Sequence, residues 1–130
     1  MRVLLDTHSW LWMVGEPDRL SDQGRQLLHD PRNELFFSAA SAWEIAIKYE
    51  TGKLRLPRPP TALLGGWLAE DRLSALPILL AHALHAGELP PHHLDPFDRL
   101  LIAQARIEGL TLLTADRRLA KYDVPIHWAN

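Results

Sequence analysis

The chain has 130 residues, 47% hydrophobic and 23% charged, which is typical of one globular domain spanning residues 1–130, and no apolar run is long enough to cross a bilayer. It contains no cysteine, which excludes disulfides, thiolate zinc sites and cysteine nucleophiles and fits a reducing cytoplasm. The formal net charge is -2, whereas nucleic-acid binders are more often basic. If the protein acts on nucleic acid, its acidic residues are therefore expected to bind a divalent metal at one site.

The first half of the chain alternates short apolar runs with segments of helical periodicity. In chain order, the patterns predict a strand over 2–5, helices over 8–14 and 21–29, a strand over 35–38 and a helix over 41–51. Ser41 is expected to cap the last of these helices, with Glu44 as its capping-box partner.

The second half continues the alternation after a proline-rich segment, 55–60, that excludes regular structure. The patterns predict, in order, a helix over 61–71, a strand over 73–79, a helix over 80–86, a loop over 87–96, a helix over 97–108, a strand over 111–113, a short helix over 117–121 and a strand over 125–128. Strands that alternate with helices predict an α/β domain with a mainly parallel sheet, whose functional site lies beyond the carboxyl ends of the strands.

Two acids follow predicted strands directly. Asp6 comes after the first strand, and Asp116 comes just past the strand over 111–113. Either one alone is explained equally well as a helix N-cap, a position that aspartate favours. If the two strands are neighbours in a parallel sheet, however, both carboxylates lie at the same edge.

Two further acids occupy helix starts. Asp98 precedes Leu101, Ile102 and Ala105 on the apolar stripe of its helix, which directs it toward the sheet edge; the alternative is a favourable acid in the first helical turn. Glu44 could instead form a capping box or an exposed i,i+4 pair with Lys48. Its apolar neighbours favour a buried and functional position.

Several carboxylates at one edge repel one another, and a hard divalent cation relieves that repulsion. Oxygen ligands without cysteine favour Mg²⁺ or Mn²⁺ over zinc. Such a site can activate a water and stabilise the charge that builds on a phosphodiester.

Five segments in register resemble the successive motifs of VapC-type PIN-domain toxins. They are LLDTH (4–8), SAWEIAIK (41–48), GKL (52–54), DPFDRLLIAQA (95–105) and LTAD (113–116). The resemblance covers nearly the whole chain and implies a three-layer α/β/α PIN-domain sandwich. It also implies Mg²⁺- or Mn²⁺-dependent endoribonuclease activity with a metal-activated water, as the toxin of a type II toxin–antitoxin module.

The resemblance assigns the catalytic and metal-binding acids to Asp6, Glu44, Asp98 and Asp116. Thr7 and Thr114 match the hydroxyl positions beside the acids and would orient carboxylates or waters. The implied partners are an RNA substrate, a VapB-type antitoxin and a second copy of the chain in a homodimer. Operator DNA would then be bound by the antitoxin rather than by this chain.

Basic residues near the acids are candidate contacts for RNA phosphates. Solvated surface is the default for each, but Lys48, Arg99 and Arg117 are the preferred candidates because an anionic backbone needs cations beside the cleft. His92 and His93 precede Asp95 and are expected to form an exposed loop or to contact RNA rather than to chelate a metal.

The first predicted helix carries two tryptophans, Trp10 and Trp12, at a spacing of two. One helix face cannot bury both, so one of them is expected on the surface. The C-terminal part of an antitoxin could dock on that apolar surface, and an antitoxin arginine could then reach the acids.

Three other functions compete with the toxin hypothesis. A PIN-fold nuclease outside a toxin–antitoxin system would use the same acids, and so would an enzyme that cuts DNA. A non-catalytic RNA-binding PIN-like module would be expected to lack one or more acids. A phosphatase with Asp6 as nucleophile would have a second aspartate two residues later, where this chain has His8.

Overall fold

Five short strands form one sheet, which six α-helices and two 3₁₀ segments connect. The computed structural model describes residues 1–130. The strands are β1 (Arg2–Leu5), β2 (Glu34–Ser38), β3 (Ser74–Leu76), β4 (Thr111–Thr114) and β5 (Ile126–Trp128). The α-helices are α1 (Thr7–Gly15), α2 (Asp22–His29), α3 (Ala39–Glu50), α4 (Pro60–Ala69), α5 (Leu80–Glu88) and α6 (Pro96–Glu108). The 3₁₀ segments are Pro17–Arg19 and Arg117–Lys121. None of the helices combines the length and apolar character that crossing a membrane requires.

The sheet is parallel throughout, with the strand order β3-β2-β1-β4-β5. Its central strand is β1, whose last residue, Leu5, pairs with Phe37 of β2 and Leu113 of β4. The next residue, Asp6, donates its backbone N–H to the carbonyl of Leu113 over 3.0 Å. The residues that follow β1 and β4 therefore meet at one edge of the sheet.

Alternate residues of the strands face two separate apolar layers. Val3 and Leu5 pack into a cluster with buried side chains from α1 to α4, including Trp10 and Ile45. Leu4 points the other way, into a cluster that includes Leu101 and Ile102 of α6. The alternation follows from the strand period of two. It confirms the predicted three-layer α/β/α arrangement.

Most helix ends form where local sequence signals placed them. Asp95 caps α6, accepting from the N–H groups of Phe97 (2.8 Å) and Asp98 (3.3 Å). At the other end Gly109 adopts a left-handed conformation, φ 67°, that favours glycine. Because this helix starts immediately after Asp95, Asp98 lies in its first turn, beside the carboxyl edge of the sheet.

The predicted capping box of α3 is wrong. The helix begins at Ala39, two residues earlier than expected, and Ser38 at the end of β2 is its N-cap, accepting from the N–H of Ala40. Ser41 therefore lies inside the helix. Glu44 is left free to form contacts outside it.

The expectation of an exposed tryptophan on α1 is also wrong, because Trp10 and Trp12 are both buried, with 0% and 8% of their surface exposed. Trp10 packs against the rings of Phe37 and Trp67. Trp12 lies under the guanidinium of Arg19, 4.6 Å from the ring centroid, at the end of the first 3₁₀ segment. The sequence pattern did not predict that segment, and it covers the second side of the helix.

Candidate metal centre

The acid after β1 is buried and held by two hydrogen bonds. Asp6 is the N-cap of α1: its Oδ1 accepts from the N–H of Ser9 over 2.8 Å. Its Oδ2 accepts from the hydroxyl of Thr114 over 2.6 Å. Burial raises the pKa of Asp6, and the hydrogen bonds from Ser9 and Thr114 oppose that rise. The carboxylate is thereby fixed at the edge between β1 and β4.

The acid on α3 is equally buried, and Glu44 is anchored from two sides. The hydroxyl of Thr7 donates to Oε1 over 2.6 Å, and Lys48 Nζ donates to Oε2 over 2.8 Å. Thr7 and Thr114 therefore each donate a hydrogen bond to an acid. Lys48, whose side chain is 38% exposed, is engaged by Glu44 in this structure.

A histidine joins the two remaining acids. His93 Nε2 lies 3.1 Å from Asp98 Oδ2 and 3.0 Å from Asp116 Oδ2. The backbone N–H of Asp95 donates to His93 Nδ1, which assigns the proton of the neutral ring to Nε2. The N–H of His93 donates to the Tyr122 hydroxyl over 2.9 Å. His93 is therefore a buried part of the centre.

The prediction of an exposed or RNA-contacting His93 is wrong. Its position depends on Asp116 and Tyr122, which lie 23 and 29 residues further along the chain. The only local signal was its place two residues before the cap of α6.

Negative charge converges on Asp98. Its pKa is raised to about 7, first by burial and then by the charges of its acidic neighbours, which are, in order of influence, Asp95, Asp6, Glu44 and Asp116. The other three predicted acids thus lie within electrostatic reach of Asp98.

The carboxylate of Asp116 has the opposite electrostatic setting. Arg118 donates its Nε to Oδ1 over 2.9 Å and its Nη2 to Oδ2 over 2.7 Å. These bonds, with smaller contributions from the backbone N–H of Arg118 and from His93, lower the pKa of Asp116 to about 2. The N–H of Asp116 donates to Thr114 Oγ1, so one threonine contacts two of the acids.

The donor set fits a hard divalent cation. The carboxylate oxygens of Asp98 and Asp116 and the Nε2 of His93 all lie within 4.8 Å of one another. Because Nε2 carries a proton, the carboxylate oxygens would be the metal ligands and His93 a hydrogen-bond donor beside them. The mutual repulsion that raises the pKa of Asp98 is the cost that such a cation would remove. Carboxylate oxygens are the ligands that Mg²⁺ and Mn²⁺ prefer.

Two of the three predicted phosphate contacts have other partners in this structure. Arg99 directs its guanidinium to four backbone carbonyls, those of Ala86, Leu89, Pro90 and His93. It therefore braces the loop before α6.

Arg117 turns away from the acids. Its guanidinium lies 4.0 Å from the centroid of the Trp128 ring and donates to the carbonyl of Asn130. The basic residue at the centre is its neighbour Arg118.

The exposed apolar side chains that lie next to the acids are on α3, and none is on α1. Trp43 is 63% exposed and meets the ring of Phe97 edge-on at 5.7 Å. Ile47, one turn later, is also exposed. An apolar groove of about 490 Å³ lies on the β3 side of the same helix, between Ala42, Leu64 and Leu76.

Known proteins provide an independent comparison. Residues 3–125 match the PIN domain. The chain is 34% identical to Ribonuclease VapC22 of Mycobacterium tuberculosis over 95% of its own length and 93% of that protein's. Its fold is similar to that in the crystal structure of VapBC2 from Rickettsia felis bound to a promoter DNA fragment, with a TM-score of 0.74, 18% identity and full coverage of both chains. DNA-bound VapBC from Salmonella typhimurium gives a TM-score of 0.71 at 20% identity, covering 100% of this chain and 99% of the other.

Proposed function

This chain belongs to the PIN-domain family, and from that premise we propose that it is a metal-dependent endoribonuclease and the toxin of a type II toxin–antitoxin pair. The proposal places its activity in the cytoplasm, on RNA, with Mg²⁺ or Mn²⁺ as the cofactor. Its catalytic and metal-binding residues are Asp6, Glu44, Asp98 and Asp116.

The observation that carries the proposal is the convergence of four acids at the carboxyl edge of the sheet. Their charges raise the pKa of Asp98, after burial has raised it, to about 7. Lys48 and Arg118 pair with Glu44 and Asp116, but the repulsion that remains still raises the pKa of Asp98, which a site built only for stability would avoid. All four acids are present, which disfavours a non-catalytic RNA-binding module.

A bound divalent cation would supply a nucleophilic water at neutral pH and stabilise the charge that develops on the phosphodiester. The chain's own residues fix the geometry. Thr114 and Thr7 hold Asp6 and Glu44 in place, and the Nε2–H of His93 sets the separation of Asp98 and Asp116. Lys48, at the rim of the centre, is positioned to contact an RNA phosphate.

The proposed partner is a VapB-type antitoxin. The solved structures with this fold include complexes described as VapBC, two of them with DNA bound. We place the antitoxin's C-terminal segment on the apolar surface of α3, around Trp43 and Ile47, because that surface adjoins Phe97, next to Asp98. An antitoxin arginine docked there would be attracted to the acids. The net charge of -2 agrees with operator DNA being bound through the antitoxin. The chain itself is expected to form a homodimer.

The test of the activity is RNA cleavage by the purified chain with Mg²⁺, with Mn²⁺ and with EDTA. Cleavage that requires the metal and leaves 5′-phosphate and 3′-hydroxyl ends is expected of direct attack by water. Ends with a 2′,3′-cyclic phosphate would contradict this mechanism, because they require attack by the ribose hydroxyl.

The toxin assignment is tested separately, by expressing the chain alone and with the protein of the neighbouring reading frame. Growth arrest by the lone chain, relieved by co-expression, is expected, together with a complex whose mass contains two copies of this chain. If the lone chain does not arrest growth and the neighbouring protein does not change its ribonuclease activity, the toxin assignment is wrong. The chain would then be a PIN nuclease outside a toxin–antitoxin system.

A further inference from the structure

The carboxylate of Asp116 has no free acceptor site. Its Oδ1 accepts from the backbone N–H of Arg118 over 3.0 Å and from Arg118 Nε over 2.9 Å. Its Oδ2 accepts from Arg118 Nη2 over 2.7 Å and from His93 Nε2 over 3.0 Å. A carboxylate offers about four lone-pair sites, so these donors use all of them. Asp6, by comparison, accepts only from Ser9 and Thr114.

A cation can reach Asp116 only if one donor leaves, and the donors differ in freedom. The backbone N–H of Arg118 is fixed because Asp116 caps the 3₁₀ segment that follows. The side chain of His93 is 6% exposed, its Nδ1 accepts from the N–H of Asp95, and its backbone N–H donates to the Tyr122 hydroxyl. The Arg118 side chain is 69% exposed and has no hydrogen-bond partner other than Asp116. The guanidinium is therefore the donor that can move.

We propose that Arg118 occupies the metal-binding oxygens of Asp116 until a divalent cation binds, and that its guanidinium then pairs with a phosphate of the RNA. The inference rests on the proposed function, since it takes Asp116 as a metal ligand and RNA as the substrate. The exchange replaces the guanidinium at Asp116 with a divalent cation, so the carboxylate keeps a positively charged partner. The planar guanidinium fork suits a phosphate as well as it suits a carboxylate.

This exchange makes the binding of metal and RNA cooperative. Both ligands favour the state in which Arg118 has left Asp116, so each one lowers the cost of binding the other. A chain without RNA would hold its metal weakly.

The neighbouring arginine provides a matched control. Arg117 has the same charge, is also exposed and precedes Arg118 directly, but its guanidinium stacks on Trp128 and donates to Asn130. Arg118→Ala and Arg117→Ala therefore remove the same charge from adjacent positions, and only the first empties acceptor sites on Asp116.

The first measurement is the affinity for Mn²⁺ alone, titrated into the metal-free protein and followed by the electron paramagnetic resonance of free Mn²⁺. Arg118→Ala is expected to bind Mn²⁺ about fivefold more tightly than the wild type, as removal of a partly exposed charge pair implies. Arg117→Ala is expected to match the wild type. Equal affinities of Arg118→Ala and wild type would overturn the inference and leave the metal-dependent nuclease standing. A wild type that binds no Mn²⁺ would overturn both.

The second measurement is the affinity for a fluorescent ten-nucleotide oligouridine, with Ca²⁺ or with EDTA, on RNA shown by gel to stay intact. Ca²⁺ is expected to tighten RNA binding by the wild type, whereas Arg118→Ala loses that enhancement. Arg118→Lys is expected to retain part of the RNA affinity through its charge while losing the bidentate pair with Asp116. Enhancement by Ca²⁺ that is the same in wild type and Arg118→Ala would overturn the exchange.

Discussion

The two halves of the acidic centre are built in different ways. On the β1 and α3 side, Asp6 and Glu44 are nearly inaccessible, and a buried threonine hydroxyl donates to each, with Lys48 as a second partner of Glu44 only. On the α6 and β4 side, Asp98 and Asp116 are each 23% exposed and are held by the charged or ring donors His93 and Arg118.

This difference means that folding fixes the carboxylates of the first half, whereas a bound ligand can still change the partners of those in the second half. The buried hydroxyls of Thr7 and Thr114 cannot exchange their carboxylate acceptors for water. The first half is therefore preorganised once the sheet forms. A partly exposed arginine can exchange its carboxylate for solvent or a phosphate at small cost. The first half therefore provides fixed ligands, and the second adjusts to metal and substrate.

The largest effect is expected from removing one carboxylate of either half. Asp6→Asn and Asp98→Asn should each lower kcat/KM for RNA cleavage by about 10³-fold or more, because the metal loses an anionic ligand. Circular dichroism should show an intact fold for both. Asp18→Asn, at a fully exposed residue, is the control and should keep wild-type activity. Full activity in either centre variant would remove that acid from the proposed machinery.

The second effect is a pH dependence of the folding stability, which arises from Asp98 in the second half. The pKa of Asp98 rises from 3.8 to about 7 on folding, so the folded state retains its proton more strongly than the unfolded state. The contribution of Asp98 to the free energy of unfolding of the metal-free protein should therefore be greatest below pH 4. It should fall by about 3 kcal/mol as the pH rises toward 7, after allowance for partial exposure.

The check is urea unfolding in EDTA at several pH values, with Asp98→Asn for comparison. The variant cannot ionise at this position, so its stability relative to the wild type should rise between pH 4 and pH 8. Added Mg²⁺ should reduce the difference. Parallel curves for the two proteins would mean that Asp98 ionises in the folded state as easily as in water.

The third effect tests whether hydroxyls fix the buried half. Thr114→Val and Thr7→Val keep the side-chain shape but remove the donors to Asp6 and Glu44. Each should lower Mn²⁺ affinity or kcat/KM by about 10- to 100-fold, as is typical when the partner of a metal ligand is lost. Thr114→Ser and Thr7→Ser retain the hydroxyl and should recover most of the loss. Valine variants with wild-type affinity would show that burial alone positions the acids.

The smallest effect concerns Arg99, which holds the loop before α6, the helix that carries Asp98. Arg99→Ala removes donors to four carbonyls and should lower the free energy of unfolding by about 2 kcal/mol, the range for charged hydrogen bonds. Arg55→Ala, at an exposed residue, should change it by less than about 0.5 kcal/mol. Weaker RNA binding by Arg99→Ala at unchanged stability would support the sequence-based interpretation of Arg99 as a phosphate contact.

Local sequence signals predicted the elements well where a short segment decides the outcome. The helix predicted over 97–108 is α6, which runs from Pro96 to Glu108, because its ends depend on the caps Asp95 and Gly109 and on the backbone of one helical turn. The same signals misplaced the start of α3. Ser38 and Ser41 are both good caps, and the choice between them depended on where β2 ends in the sheet. Trp10 and Trp12 were misjudged because a 3₁₀ segment outside the helix buries the second ring.

By itself, the sequence determined the strand–helix alternation and the placement of acids after strands and at helix starts, since both depend on neighbours within about four residues. Only the tertiary structure decided which donors those acids receive. His93 reaches Asp116 across 23 residues, and Thr114 reaches Asp6 across 108. The choice between Arg117 and Arg118 is of the same kind: adjacent side chains on a tight helical turn point in different directions. Which of them faces the centre depends on where β5 places Trp128.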